Sequence, residues 1–595
     1  GPAPSASRPA PDARSAEPPA PPDPTLLVTE PRVLAELERQ GLTLSGVLGG
    51  KPEATTNHEL GQLPALKPVW RVLDQELQRA SARDKLAGVD VARFSHRLFD
   101  GRFLRLPQAR FALAGVVNRP DRAPFEPGSC GETRLIYRLE YALDDQHASK
   151  LPMTLGIELP VASSAGACRD AAARWLEPVA TEPAARAAWL RSSAGPLAPS
   201  RTRLDTASGR LVINLQLVRW PATVRPDLGG HAEYLLRSFR TNAAGLLQPE
   251  RLENSIDPAR LLTPSGRQTL AAWLRESAAS IDAGTALLPQ ELLSERALSV
   301  TPRGLQRLAN RPFSASLSKA ELEQLDYTHG RRVRSASALL RRLDQLSCQG
   351  CHQARSVAGF HLLGEDAPGA ARENALAMPV SAQVLADLPR RLRIARSLLA
   401  GETPDYTAPF AERAADSGGF GEHCTLGRDA SFADWTCAVG FECSAIEAGE
   451  GDAIGQCLPR VREVGDACER GGVRPARDPE RDRMLRVVPE ACPDMVCNRS
   501  GVGFPGGMCT ASCGSPGTAC GAIAILDAFN ACLARREAFL SCIRDSAQPA
   551  GLRACSAEQP CRDDYVCARA ESGGVCLPPY FVFQLRVDGH SSSLH

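Results

Sequence analysis

The chain has 595 residues, 43% hydrophobic and 23% charged, with a net charge of +1. That length accommodates three or four domains, and the balance is ordinary for a folded protein. Near-neutrality carries none of the basic footprint of a nucleic-acid binder, and no run of 18 apolar residues offers a transmembrane helix.

Residues 1–25 are rich in Pro, Ala and Ser and read as a disordered tether, either a spacer from a membrane anchor or a frayed terminus. The opening Gly-Pro shows no signal peptide, so an export signal is taken to be already removed. Residues 26–300 read as an α+β domain. Helical spacing falls at Pro31–Gln40, Val69–Ala80, Arg169–Leu176, Ala184–Leu190, Arg267–Ala278 and Leu288–Ala297. Strand-like runs fall at Phe111–Asn118, Arg134–Ala142, Pro152–Val161 and Leu211–Trp220, with a turn at Asp205–Gly209 before the last. Cys130 and Cys168 are the only cysteines of this region, and their pairing would tie the strand near Thr133 to the helix at Cys168.

Residues 301–405 hold the most specific chemistry. Ser318 and Glu321 have the spacing of a capping box. A helix over Arg332–Leu346 delivers Cys348-Gln349-Gly350-Cys351-His352. C-x-x-C-H is the attachment signal of a c-type haem, one covalent haem c for this chain: Cys348 and Cys351 each bond a vinyl group, and His352 is the proximal iron ligand. The rivals are a zinc site, a redox dithiol and a structural disulfide. Zinc needs further Cys or His ligands nearby, and a thioredoxin-like dithiol needs a strand before it rather than a helix. Beyond a Gly-containing loop come Met378-Pro379 and an apolar helical stripe over Ser381–Ala400, in which Pro389 should kink or restart the helix.

Helix, C-x-x-C-H, loop, Met-Pro and closing helix together resemble a class I cytochrome c over about a hundred residues. The resemblance implies a small, mainly α haem region whose closing helix packs on the entering one. It assigns the thioether bonds to Cys348 and Cys351, the proximal position to His352 and the distal position to Met378. Only 25 residues separate His352 from Met378, fewer than is usual in that family, which keeps His361 as the alternative distal ligand and His329 behind it.

A Gly- and Ala-rich linker spans 406–421, and 422–579 is built of cysteine modules. Sixteen of the twenty cysteines lie between Cys424 and Cys576. Gly-Gln-Cys457-Leu-Pro and Gly-Val-Cys576-Leu-Pro end two four-cysteine units, and Gly-Met-Cys509-Thr ends a third that begins at Cys468. Three small modules, each held by two bridges, follow, with connectivity left open by spacing alone. Cys513, Cys520, Cys532 and Cys542 remain, the last two on a helix at Leu526–Ile543. Residues 580–595 close the chain with a strand at Tyr580–Val587. Such a disulfide framework places the protein in an oxidising compartment: exported, and then periplasmic, outer-membrane-associated or extracellular.

Cys130-Gly131-Glu132-Thr133-Arg134, the stretch from Cys348 to Gly364, and Phe583-Gln-Leu-Arg-Val-Asp-Gly-His590 resemble large exported proteins of myxobacterial type. That group implies no activity. Asn498-Arg-Ser is an isolated three-residue pattern, and no Walker loop, nucleophile elbow or His-Glu-x-x-His is present. His96 and His231 read as structural.

The expectation is therefore a multidomain, exported monohaem protein, cytochrome c-like, carrying single electrons to a redox partner that the sequence leaves unspecified. The alternatives are a haem peroxidase or oxygenase with an open distal position, and a disulfide-rich surface protein whose tail binds a cell-surface or protein ligand.

Overall fold

The computed structural model describes residues 26–86, 99, 101–142, 148–164, 166–204, 209–219, 231–300, 310–352, 364–367, 375–377, 380, 382–411, 417–418, 423–445, 454–462, 464–466, 468–472, 486–489, 492, 495–498, 507–511, 553–556, 561, 565–570 and 573–577. The tether, most of the turn at Asp205–Gly209, Met378, His361, the Leu526–Ile543 helix and the Tyr580–Val587 strand lie outside them.

The body opens with β1 (Leu27–Val28), α1 (Pro31–Arg39), α2 (Leu44–Val47), α3 (Asn57–Leu60) and α4 (Lys67–Leu86). Pro31 starts α1 where its missing N–H costs nothing, and Val33, Leu34 and Leu37 turn one face inward. Then come β2 (Ala109–Arg119), β3 (Ser129–Ala142), β4 (Ala148–Ala162), α5 (Ala167–Leu176), α6 (Pro183–Arg191), β5 (Arg210–Arg219), β6 (His231–Thr241) and β7 (Leu247–Glu250). These strands form one antiparallel sheet in chain order, and β8 (Ala297–Val300) joins it beside β7, on the same edge of β6.

Alternation decides what each face of the sheet does. Leu135, Tyr137 and Leu139 on β3, Met153, Leu155 and Ile157 on β4, and Leu211, Ile213 and Leu215 on β5 share one core with α1, α3, α4 and α6. The residues between them point the other way and are largely polar: Arg134 and Arg138, Thr154 and Glu158, Arg210, Asn214 and Gln216, all buried except partly buried Arg210. Arg138 donates to Gln216 Oε1 at 3.0 Å.

A second core lies in a helical layer of α7 (Pro258–Leu261), α8 (Pro264–Glu276), α9 (Ala278–Ala283), α10 (Pro312–Ser316), α11 (Lys319–Leu322) and α12 (Ala336–Leu346). It draws residues from both sides of position 300 and takes in Phe410, Phe432, Trp435 and Ile454, so the first cysteine module is packed onto it. Rings of Phe432 and Trp435 stand 4.6 Å apart, and Phe410 meets Trp435 edge-on at 5.3 Å. The capping box at Ser318 is formed, opening α11.

Three expectations change. The helix read over Leu288–Ala297 is a single 3-10 turn at Gln290–Leu292 followed by β8, because Ala297–Val300 finds the open edge of β6 and pairing there outweighs local periodicity. The helix read from Arg332 begins at Ala336, where Ser335 accepts the N–H of Ala338. The closing helix, α13 (Ala382–Ala400), runs through Pro389 and does not pair with α12 as the cytochrome c resemblance implies. Its apolar stripe, Val384 and Leu388, lies on Ala114, Val117 and Ile136 of the sheet, and it packs on α5. Buried ion pairs fix that position: Arg390 and Arg391 meet Asp387 at 2.7 and 2.8 Å, and both approach Asp121.

Cys130 is bonded to Cys168, tying β3 to α5. The tail holds the three expected modules, and all share one connectivity. The first cysteine bonds the third and the second bonds the fourth: Cys424–Cys443 with Cys437–Cys457, Cys468–Cys497 with Cys492–Cys509, Cys555–Cys567 with Cys561–Cys576. The third and fourth cysteines face each other across a hairpin in every copy. The repeated Gly two positions before the fourth cysteine has a steric cause. A Cβ on Gly455 would lie 2.9 Å from Cys443 Sγ, and one on Gly574 2.3 Å from Cys567 Sγ, where the first–third bridge crosses the strand.

Candidate cofactor site

The site is built at the C-terminal end of α12. Asp344, one turn before the motif, is buried, and its carboxylate accepts N–H bonds from Phe313 at 2.8 Å and Ser314 at 3.3 Å, capping α10. Burial raises its pKa, against the pull of Arg311 and of those bonds. Arg342, also buried, donates to the carbonyls of Pro409, Asp282 and Ala408 at 3.0–3.1 Å and stacks on Phe410. The end of α12 is thus pinned on two sides.

Gln349–His352 forms one turn of 3-10 helix directly after it. Ser347 Oγ donates to Asp344 O at 2.6 Å and accepts the Gly350 N–H at 3.0 Å. Gly350 lies so close to α12 that a Cβ would stand 1.8 Å from Asp344 O, so no other residue fits between the two cysteines at that position without moving the turn. The Cys348 N–H donates to Ser255 Oγ at 3.1 Å, and its thiol points at Glu253 O, 3.7 Å away. Burial pushes the Cys348 thiol up to about 11, partly offset by Ser255. The side chains of Cys351 and His352 lie outside the described residues, as do Met378 and His361. His329 is exposed on the turn preceding α12.

Half-buried Cys348 opens on a cavity of about 550 Å³ between the polar face of the sheet and the helical layer. Val212, Leu236, Leu252, Leu288 and Leu346 supply apolar wall. The rest is charged. Arg122 meets Glu253 at 2.6 Å, Arg134 meets Glu158 at 2.8 Å and Glu132 at 2.5 Å, and Arg210 meets Glu250 at 3.1 Å and also Glu126. Burial opposes the charge on Arg122, but Glu253 and Glu132 outweigh it and its pKa is raised. The Cys130–Arg134 motif builds this wall. Gly131, at φ +100°, lies where a Cβ would stand 2.4 Å from Arg119 O, and Glu132 and Arg134 follow it into the ion-pair network. Arg122, Glu158, Arg210, Glu253 and Ser255 carried no signal in the sequence, since they come from separate elements and become neighbours only in the folded sheet.

Of the groups the motif could hold, a thioether-linked haem requires free thiols, and Cys348 supplies one. Cys348 carries a free thiol, whereas fourteen cysteines elsewhere in the described residues form seven bridges. Three groups of close sulfurs occur, around Cys424, Cys468 and Cys555, but all belong to disulfides and offer no thiolate to a metal. Among the described residues, Cys348 belongs to no such group. The cavity is within the size range of cofactor pockets. No described helix is long and apolar enough to cross a membrane, and the seven bridges fit an oxidising compartment. Comparison with family models, curated proteins and solved structures finds no match to this chain.

Proposed function

We propose that this is an exported protein that binds one haem c through Cys348 and Cys351, with His352 as proximal ligand, and transfers single electrons. The carrying observation is that Cys348 keeps a free thiol on the wall of a cavity of about 550 Å³, while the fourteen described cysteines outside the motif are all in bridges. The haem would supply a one-electron ferrous–ferric couple. The chain's own part is placement. Ser255, Ser347 and Gly350 set the main chain of the motif, and Leu236, Leu252 and Leu288 give it an apolar neighbour. Covalent attachment retains the group in an exported protein. Distal ligation by Met378, or by His361, belongs to the same proposal.

The charged wall favours a second reading, a haem peroxidase or oxygenase. Glu158, Arg134 and Arg210 put ionised groups beside the cavity, where a simple carrier needs none. The coordination number of the iron separates the two readings.

The test is the reduced visible spectrum in alkaline pyridine, on protein made with cytochrome c maturation factors. A c-type haemochrome that survives denaturation is expected and should vanish in Cys348→Ser. A colourless protein would overturn the proposal and leave a disulfide-built surface protein.

A further inference from the structure

The outer strand of the third cysteine module, Val566–Ala570, is hydrogen bonded on both edges. One edge carries its hairpin partner, Gly573–Leu577. The other meets Ala375–Ala377. Leu376 and Ala568 form an antiparallel bridge, the Ala377 N–H donates to Cys567 O at 2.8 Å, and the Arg569 N–H donates to Ala375 O at 2.8 Å. Arg569 adds an ion pair to Glu365 at 3.2 Å. An edge strand takes an extended segment in this way through main-chain groups alone.

The captured segment leads from the Cys-x-x-Cys-His turn to α13, and its far side is fixed to the body. Asp366 Oδ2 accepts the Leu376 N–H at 3.0 Å, and the Asp366 N–H returns a bond to Leu376 O at 3.1 Å. The same carboxylate is ion-paired with Lys150 of β4, and the two residues are only 4% and 2% exposed. Breaking such a desolvated pair strands a buried charge. Gly364, at φ +83°, sits against Ala114 and Lys150. Leu376 is fully buried. Behind the third module, Arg553 is tied to Asp466 of the second at 2.8 Å.

We propose that the third module is an internal strap. It presses residues 364–367 and 375–377 onto the sheet and so positions the chain that runs from the haem-attachment turn toward α13. Leu376, Ala377 and Arg569 are its positioning residues, and Met378 follows them directly in the chain. The purpose of the strap rests on the haem reading above; its existence does not.

The test uses the full, oxidised, haem-loaded protein. Arg569→Pro removes the outward N–H and the ion pair, and proline is tolerated on an edge strand where its nitrogen faces away from the ladder. Ala377→Pro removes the matching donor from the other side. In both, amide exchange at Leu376 should rise at least about fivefold, the order expected for losing one hydrogen bond from a locally opening unit. Peptide mapping should find Cys555–Cys567 and Cys561–Cys576 intact, and the haem midpoint potential should shift. Unchanged exchange at Leu376 in both variants would overturn the strap. Faster exchange with a wild-type potential would overturn its positioning role. Protein without haem would defeat the haem reading alone, leaving exchange to decide the strap.

Discussion

The body sheet and the cysteine tail hold their shapes by opposite means. In the sheet, Leu135, Leu155 and Ile213 bury completely in one continuous core. In the tail, the second module's buried cluster is Cys468, Cys492 and Cys509, with Cys497 against it, so the sulfurs are the core. A hydrophobic core is lost cooperatively and whole, whereas a bridge confines its own loop whatever happens elsewhere. Reduction should therefore break the comparison most sharply. Each small tail bridge is worth about 3 kcal/mol, and Cys130–Cys168 about 4 kcal/mol for its longer loop. With dithiothreitol at neutral pH, the tail should become sensitive to protease while the sheet keeps its far-UV signal and a lowered but cooperative melt. Loss of both signals together would show that the body depends on the tail for its fold.

The reciprocal experiment removes core and leaves the bridges. Leu155→Ala should cost about 2–5 kcal/mol in the body, read as a fall in the denaturation midpoint with unchanged slope, and should leave all tail bridges in place on peptide mapping. Gly574→Ala sharpens the contrast from the other side. Its Cβ would press on Cys567 Sγ at 2.3 Å, so the Cys555–Cys567 bridge should form incompletely, costing the third module about 3 kcal/mol. Free-thiol labelling of Cys555 and Cys567, with a body midpoint equal to wild type, is the expected result. A fully bridged variant would mean that the repeat glycine is not there for the sulfur.

The same contrast governs what the sequence made legible. Strands β2 to β5 stood out because apolar residues alternate along them, and the cysteine modules because their spacing repeats. β6 was assigned no element. Leu235 and Leu236 are adjacent and both buried, one on each face of the sheet, so the period of two is blurred. β8 was assigned no strand, the expected helix over Leu288–Ala297 ending on its first residue, because its pairing is decided by a strand some sixty residues earlier in the chain. At the site, the motif itself was legible, since covalent attachment needs contiguous residues. The wall was not. Arg122, Glu158, Arg210 and Glu253 are ordinary charged residues until the sheet folds its polar face inward. The placement of α13 was missed for a related reason: its stripe fits either α12 or the sheet, and only the Asp121 cluster with Arg390 and Arg391 selects the sheet.

The smallest expected effect lies where the helical layer meets the approach to α12. Asp282 receives the N–H groups of Arg332 and Val333 on Oδ1, at 2.8 and 2.7 Å, and that of Arg331 on Oδ2, at 3.1 Å. Burial works against this carboxylate, but the three N–H bonds outweigh it and its pKa is lowered. A depressed acid adds stability above its unfolded pKa of about 3.9, and that contribution is lost as pH falls through the lower folded value. Asp282→Asn keeps an oxygen for two of the donors but loses the charge and the third bond. It should cost about 1 kcal/mol at pH 7, measured by urea denaturation of the oxidised protein. The gap between variant and wild type should narrow as pH drops below about 4, where the unfolded carboxyl takes up a proton before the folded one does. A gap that stays constant down to pH about 2.5 would mean that the missing bond, and not the charge, holds the turn before α12.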